Sequence, residues 1–180
     1  MSRGAAELAA RQRREVYMKN ASTTVVTTIR APRDWFFYWF MSVDLAKIMH
    51  RYAILPGVVA TRKQTGPMHQ VGVTREILFS DGTTAVEEIT SSDPPRIVNY
   101  RVGQLTSMFR HLVKEGQAQI TFHDESAGAT SVEWRYTFYG HNWAASLLLL
   151  PLVSLFWRGF LQSTLSRARH LAEAEAPSPS

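Results

Sequence analysis

Apolar and polar positions alternate with a period of two through most of the chain's middle, the mark of strands that bury one face. In SVEWRYTFYG the apolar phase is Val132, Trp134, Tyr136 and Phe138, set against Glu133, Arg135 and Thr137. GQAQITF continues the pattern with Ala118, Ile120 and Phe122, and RIVNYRVG with Val98, Tyr100 and Val102. Further strand-like runs are GVVATRKQ, GVTREILFS and TAVEEITSS. The breaks between them are turn chemistry: Thr65-Gly66-Pro67, Ser80-Asp81-Gly82 and Ser92-Asp93-Pro94-Pro95. Two longer strands are predicted over 111–123 and 130–139, joined by DESAGA. An earlier run, TTVVTTIR, is dense in β-branched residues and is predicted to be the first strand.

Helical spacing takes over in three places. Ala31-Pro32 ends the first strand, and Pro32 suits the first turn of a helix that runs on as RDWFFYWFM, with Asp34 complementing its dipole. Phe36, Phe37 and Phe40 share one face of it, while Trp35, Tyr38 and Trp39 lie opposite. A helix apolar all round needs a second partner. The N-terminal segment folding back, a dimer interface, a cavity opening and membrane contact through the tryptophans are the candidates. A second short helix, DLAKIMHRY, is capped by Asp44. The last element is long and runs to about residue 174. On it Val153, Trp157, Phe160, Thr164, Ala168 and Leu171 cluster on one side with Leu161 at the edge, and Arg158, Gln162 and Arg169 lie opposite.

That helix opens with NWAASLLLLPLVSLFW. Only fifteen residues separate Trp143 from Trp157 inclusive, interrupted by Ser146, Pro151 and Ser154, and Arg158 ends the run. A spanning helix needs about 20 apolar residues, so the segment reads as the buried face of an amphipathic helix, with Asn142 as N-cap and Pro151 as a kink or second start. Leu147 to Leu150 remain more apolar than one buried face requires. The predicted order is strand, two helices, a meander of about six antiparallel strands, and a long helix.

The chain has 180 residues, 45% of them apolar, 19% charged and none of them cysteine. It can bury a full core, and disulfide and thiolate chemistry are excluded. The N-terminus lacks the continuous apolar core of a signal peptide, so the expected location is cytoplasmic. Net charge is +5; the basic clusters Arg11, Arg13, Arg14 and Arg167, Arg169 carry no nucleic-acid motif and read as solvated helix faces. The six histidines show no metal-ligand spacing, and neither a phosphate loop nor a GxSxG elbow is present. Glu87 and Glu88 are adjacent in a strand and point to opposite faces, so they are not a paired acid and base. Arg75 can pair with one of them across the hairpin, either inward, where a buried pair would orient a polar ligand group, or as an ordinary cross-strand pair on the outer face, which is the favoured place.

APRDWFFYWF after the first strand, EEITSSDPPRIVNYRV in the middle and the long final helix together resemble the START-like helix-grip superfamily (SRPBCC), in its polyketide cyclase/dehydrase-like branch. Ala31-Pro32, Asp44 and Asp93-Pro94-Pro95 carry the resemblance, which covers roughly residues 23–173. It implies an α+β helix-grip fold: a curved antiparallel sheet of about seven strands wrapped around the C-terminal helix, with two short helices after strand 1. The domain is expected over 22–174, after a polar, partly helical extension over 1–21 and before a disordered tail over 175–180.

The resemblance further implies an apolar cavity between sheet and helix. Its candidate ligand-binding residues are Tyr100, Trp134, Tyr136 and Phe138 from the strands and Val153, Trp157 and Phe160 from the last helix. The first helix adds Phe37 and Phe40. The expected partner is a hydrophobic small molecule such as a lipid, quinone or polyketide-like compound, without cofactor, metal or nucleic acid. Peripheral membrane contact and a homodimer stay open. The superfamily has no universal catalytic motif, so no catalytic residue is carried over. An aromatase/cyclase or dehydratase is the alternative, and Tyr100, Tyr136, Arg75 and His50 are the groups that would have to move protons.

Overall fold

The computed structural model describes residues 20–125 and 128–177. The predicted N-terminal extension, and its folding back over the first helix, lie outside the described residues. Seven strands form one antiparallel sheet: β1 (Asn20–Ile29), β2 (Val58–Arg62), β3 (Thr74–Phe79), β4 (Thr84–Asp93), β5 (Ile97–Gly103), β6 (Val113–Glu125) and β7 (Ala129–Gly140). Their order is β1-β7-β6-β5-β4-β3-β2. The meander therefore leads from one edge to the other, and β1 closes against the last strand. Two helices, α1 (Arg33–Ser42) and α2 (Leu45–Ile48), carry the chain from the β1 edge to the β2 edge. A 3-10 turn over Met108–His111 precedes β6.

The final helix, α3, runs from Trp143 to Glu175. The Asn142 side chain caps it, its Oδ1 accepting the Ala145 N–H at 2.9 Å. Pro151 supplies no N–H, and the next residues, Leu152–Trp157, adopt a π-helical turn. Beyond it Phe160, Leu161, Thr164, Leu165, Ala168 and Ala172 are buried along the sheet's concave face. The buried stripe is thus rotated slightly from the sequence expectation, with Leu165 and Ala172 inside and Leu171 half-buried. Although α3 is long and apolar enough to cross a bilayer, Ala145, Leu149 and Val153 of its first half are buried.

On α1, Phe36, Phe37 and Phe40 face the core as predicted. The opposite face finds its partner in the end of α3. Trp35 and Trp39 stack at 6.1 Å, and Trp39 Nε1 donates to Glu175 Oε2 at 2.7 Å. That pairing leaves these tryptophans half-buried. Asp44 caps α2, accepting the Ala46 N–H at 3.0 Å. The helix is shorter than DLAKIMHRY suggested, because the Val58 N–H is taken by Met49 O and Tyr52 bridges to Leu55.

Candidate functional site

Two rows of side chains cross the concave face of the sheet. In one, Ile89, Tyr100, Ala118, Tyr136 and Thr23 stand at successive paired positions of β4, β5, β6, β7 and β1. The small Ala118 separates the two tyrosines and lets their rings meet edge-on at 6.3 Å. In the other row Arg75, Glu87, Val102, Gly116 and Phe138 are paired in turn. Gly116 has no side chain, so the Tyr136 ring lies over it. A Cβ built there would sit 2.5 Å from the Tyr136 hydroxyl oxygen.

Two small chambers remain between these rows and α3. The first has a volume of about 70 Å³ and is walled by Phe40, Tyr100, Trp134 and Ile120, with Arg75 and Glu87 as its charged members. The second, about 100 Å³, lies under the 3-10 turn and is walled by Leu105, Phe109, Phe138, Leu152 and Phe160. Phe79, Val102, Tyr136 and Trp157 border both and form the partition between them. Trp157 is held by an aromatic cage: 4.9 Å from Tyr136, 4.9 Å from Phe138 and stacked on Phe160 at 5.1 Å. Its Nε1 is buried without a hydrogen-bond partner.

Arg75 and Glu87 overturn the expectation that this pair lies on the outer face. Both are buried, and Arg75 Nε donates to Glu87 Oε2 at 2.8 Å. The outer-face pair is instead Arg101 with Glu88, at 2.7 Å. The signal was available in β3, where Arg75 sits in phase with Val73 and Ile77. In β4 it was obscured, because Val86 makes the outward phase look apolar too. No other hydrogen bond to the Arg75 guanidinium is present among the described residues, and its remaining N–H groups are free to take an acceptor. Together with Met41 and Met68, Arg75 also borders a groove that opens outside, between α1 and the β2–β3 connection. These three residues stand where that groove meets the first chamber.

Burial pushes the phenols of Tyr100 and Tyr136 up well above the ordinary tyrosine range, and the nearby Glu87 charge adds to it. Both therefore stay protonated through neutral pH. Tyr100 Oη also accepts the Trp134 Nε1 hydrogen at 3.0 Å.

Of the residues singled out from sequence, Phe40, Tyr100, Trp134, Tyr136 and Trp157 wall the first chamber, and Phe138 and Phe160 the second. Phe37 and Val153 wall neither. Phe37 is fully buried against Phe122, 5.1 Å away. Val153 joins Ala21, Val113 and Leu149 in a separate apolar cluster. His50 is exposed and borders neither chamber. Sequence reasoning named Glu87 but favoured the outer face for its pairing, and it missed the methionines Met41, Met49 and Met68. Among the described residues no group of three or more His, Asp or Glu is placed to hold a metal ion.

A curved antiparallel sheet gripping a C-terminal helix, with an apolar cavity between them, defines the helix-grip class. Within it, the chain belongs to the family described as polyketide cyclase / dehydrase and lipid transport, whose model matches residues 20–173. The fold is similar to that of the ginseng (Panax ginseng) major latex-like protein 151, with a TM-score of 0.63 at 18% identity over 85% of this chain and 97% of that one. XoxI from Bacillus cereus superposes with a TM-score of 0.56 at 16% identity over 87% and 99%. Ara h 8.0201 does so with 0.55 at 11% over 83% and 97%. No curated protein sequence matches the chain.

Proposed function

We propose that the protein binds an apolar molecule carrying one anionic or hydrogen-bond-accepting head group, with the head on Arg75 and the body between the sheet and α3. The observation that carries this reading is the buried Arg75–Glu87 pair in the wall of an otherwise apolar chamber. A buried ion pair is weak evidence for stability, since apolar residues of equal volume often do as well. A guanidinium with unused donors beside a cavity is, in contrast, what a carboxylate or ketone oxygen requires. Fatty-acyl, quinone and polyketide-like molecules have such a shape.

The two chambers are far smaller than the ~300 Å³ of a pocket for a drug-sized ligand. Binding therefore entails moving the Tyr136–Trp157 partition so that the chambers merge. The unpartnered Trp157 N–H and the π-helical turn at its base make this the part of the wall with least to lose.

The reading is tested by NMR titration with a fatty acid and with the fatty alcohol of equal chain length, followed at the amides of Glu87 and Gly116. The acid is expected to bind more tightly. The double variant Arg75→Leu/Glu87→Leu is expected to abolish that preference while keeping the alcohol. An unchanged preference in the double variant sinks the proposal.

Catalysis of cyclisation or dehydration in the same chamber is a second reading. It is favoured by two protonated phenols and a carboxylate, Tyr100, Tyr136 and Glu87, bordering one space. On that reading Tyr136→Phe and Glu87→Gln lower turnover of a polyketone without weakening its binding.

A further inference from the structure

The outward side of the first half of α3 is apolar apart from Ser154, whose hydroxyl turns back to Pro151 O at 3.3 Å. Leu148 and Leu155 are 63% and 66% exposed. Trp143, Leu147 and Leu150 share that side, and Met108, 81% exposed, extends the patch from the 3-10 turn. The turn is fastened to the start of the helix, with the His141 ring bonded to Arg110 O at 2.9 Å and the His141 N–H to Leu112 O at 3.1 Å. Both stretches that build this surface lack acidic residues: none occurs between Asp93 and Glu115, and none between Glu133 and Glu173. Arg110, Lys114 and Arg158 are exposed around it.

We propose that this face is a docking surface for an anionic lipid bilayer, on which α3 lies along the interface without spanning it. Three observations select that occupant. An apolar helix side with a tryptophan and a basic surround is the composition of an interfacial helix. A second copy of the same face would set Arg110, Lys114 and Arg158 against their own like charges. Spanning would require Leu149 and Val153 to leave the cluster that holds them to β1 and β6.

The placement also has a consequence for the cavity. Leu105, Phe109 and Leu152 pack into the same cluster and wall the second chamber, so the patch flanks that chamber. The docking proposal stands apart from the cavity reading, because it rests on surface residues alone.

The test is co-sedimentation of the full chain with phosphatidylcholine vesicles and with vesicles containing phosphatidylserine. Partition is expected onto the phosphatidylserine vesicles, weakening as salt rises. Arg110→Ala and Lys114→Ala are each expected to weaken it roughly fivefold. Leu148→Glu/Leu155→Glu, at positions whose exposure spares the fold, is expected to abolish it. Absence of partition by the parent protein overturns the proposal, as does partition that survives the leucine substitutions. A dimer seen by light scattering that the same substitutions dissolve, with no vesicle binding, assigns the face to a second copy and overturns it too. The fatty-acid titration is run without vesicles, so each idea can fail alone.

Discussion

Arg75 and Glu87 face each other across the β3–β4 pair with Nε and Oε2 2.8 Å apart, both side chains about nine-tenths buried. This is the one ion pair the structure places inside the sheet–helix cavity among the described residues, and it sets the polarity of that space.

Removing one member leaves the other charged and enclosed. Arg75→Met or Glu87→Leu alone is expected to cost about 3–5 kcal/mol. The double variant is expected to recover most of that loss, because no charge remains to be desolvated. Urea unfolding of the two single variants and the double variant gives the coupling directly. A double variant no more stable than the worse single one contradicts the burial argument.

Gly116 exists to admit a ring. In Gly116→Ala the new methyl would lie 2.5 Å from the hydroxyl oxygen and 2.7 Å from Cε1 of Tyr136, and a strand backbone hydrogen-bonded on both sides cannot retreat. The expected cost is about 1–3 kcal/mol, as for other overpacked cores. In a Tyr136→Val background the same substitution becomes nearly neutral, which a double-mutant cycle measures.

Trp157 is the partition's movable member. Trp157→Ala is expected to cost about 3 kcal/mol, near the low end for a large aromatic because the residue is half-buried. It merges the chambers and strengthens uptake of the fatty acid in the NMR titration. Trp157→Arg places a charge at the same point and abolishes uptake.

Alkaline titration reads the buried phenols. Their folded pKa values are raised above the unfolded value, so the stability they contribute is whole below the ordinary tyrosine range. It is lost as pH rises beyond that range. Of the six tyrosines, Tyr100 and Tyr136 are expected to ionise only as the protein unfolds, seen as two phenolate absorbances that appear together with loss of near-UV circular dichroism. Tyr136→Phe removes one of them.

The end of α3 is tied to the end of β1 by a carboxylate that responds to acid. The Arg30 backbone N–H, 2.9 Å from Glu173 Oε1, and then the Arg30 guanidinium hold the Glu173 pKa below 4.5. A depressed pKa stabilises above the unfolded value and ceases to do so as pH falls through the folded one. Hydrogen exchange at the last turn of α3 is therefore expected to accelerate below about pH 4. Glu173→Gln, which keeps an acceptor and loses the charge, should flatten that dependence.

The alternation in β5, β6 and β7 was legible because it is strict, and its inward phase carries the tyrosines and tryptophan that wall the chambers. The caps Asp44 and Asn142 were legible because each acts on an N–H within three residues of itself. Glu87 was not, since both phases of β4 carry an apolar neighbour and only the packing of β3 and β5 against it settles the choice. Phe37 and Val153 have the right phase for the cavity, and they fill core because Phe122 and Leu149 meet them first.

By itself, then, the sequence determined the order of strands and helices, the face each strand buries in β5 to β7, and the helix starts. All of these follow from short-range periodicity and local hydrogen bonding. Only the tertiary structure decided that Glu87 and not Glu88 meets Arg75, how Trp157 divides the cavity, and what covers Trp39, whose partner Glu175 stands 136 residues away in the chain. It also decided that Leu147 and Leu148 stay uncovered. Contacts between distant segments depend on register, curvature and single side-chain orientations, and hydrophobic spacing along one strand or helix carries no information about them.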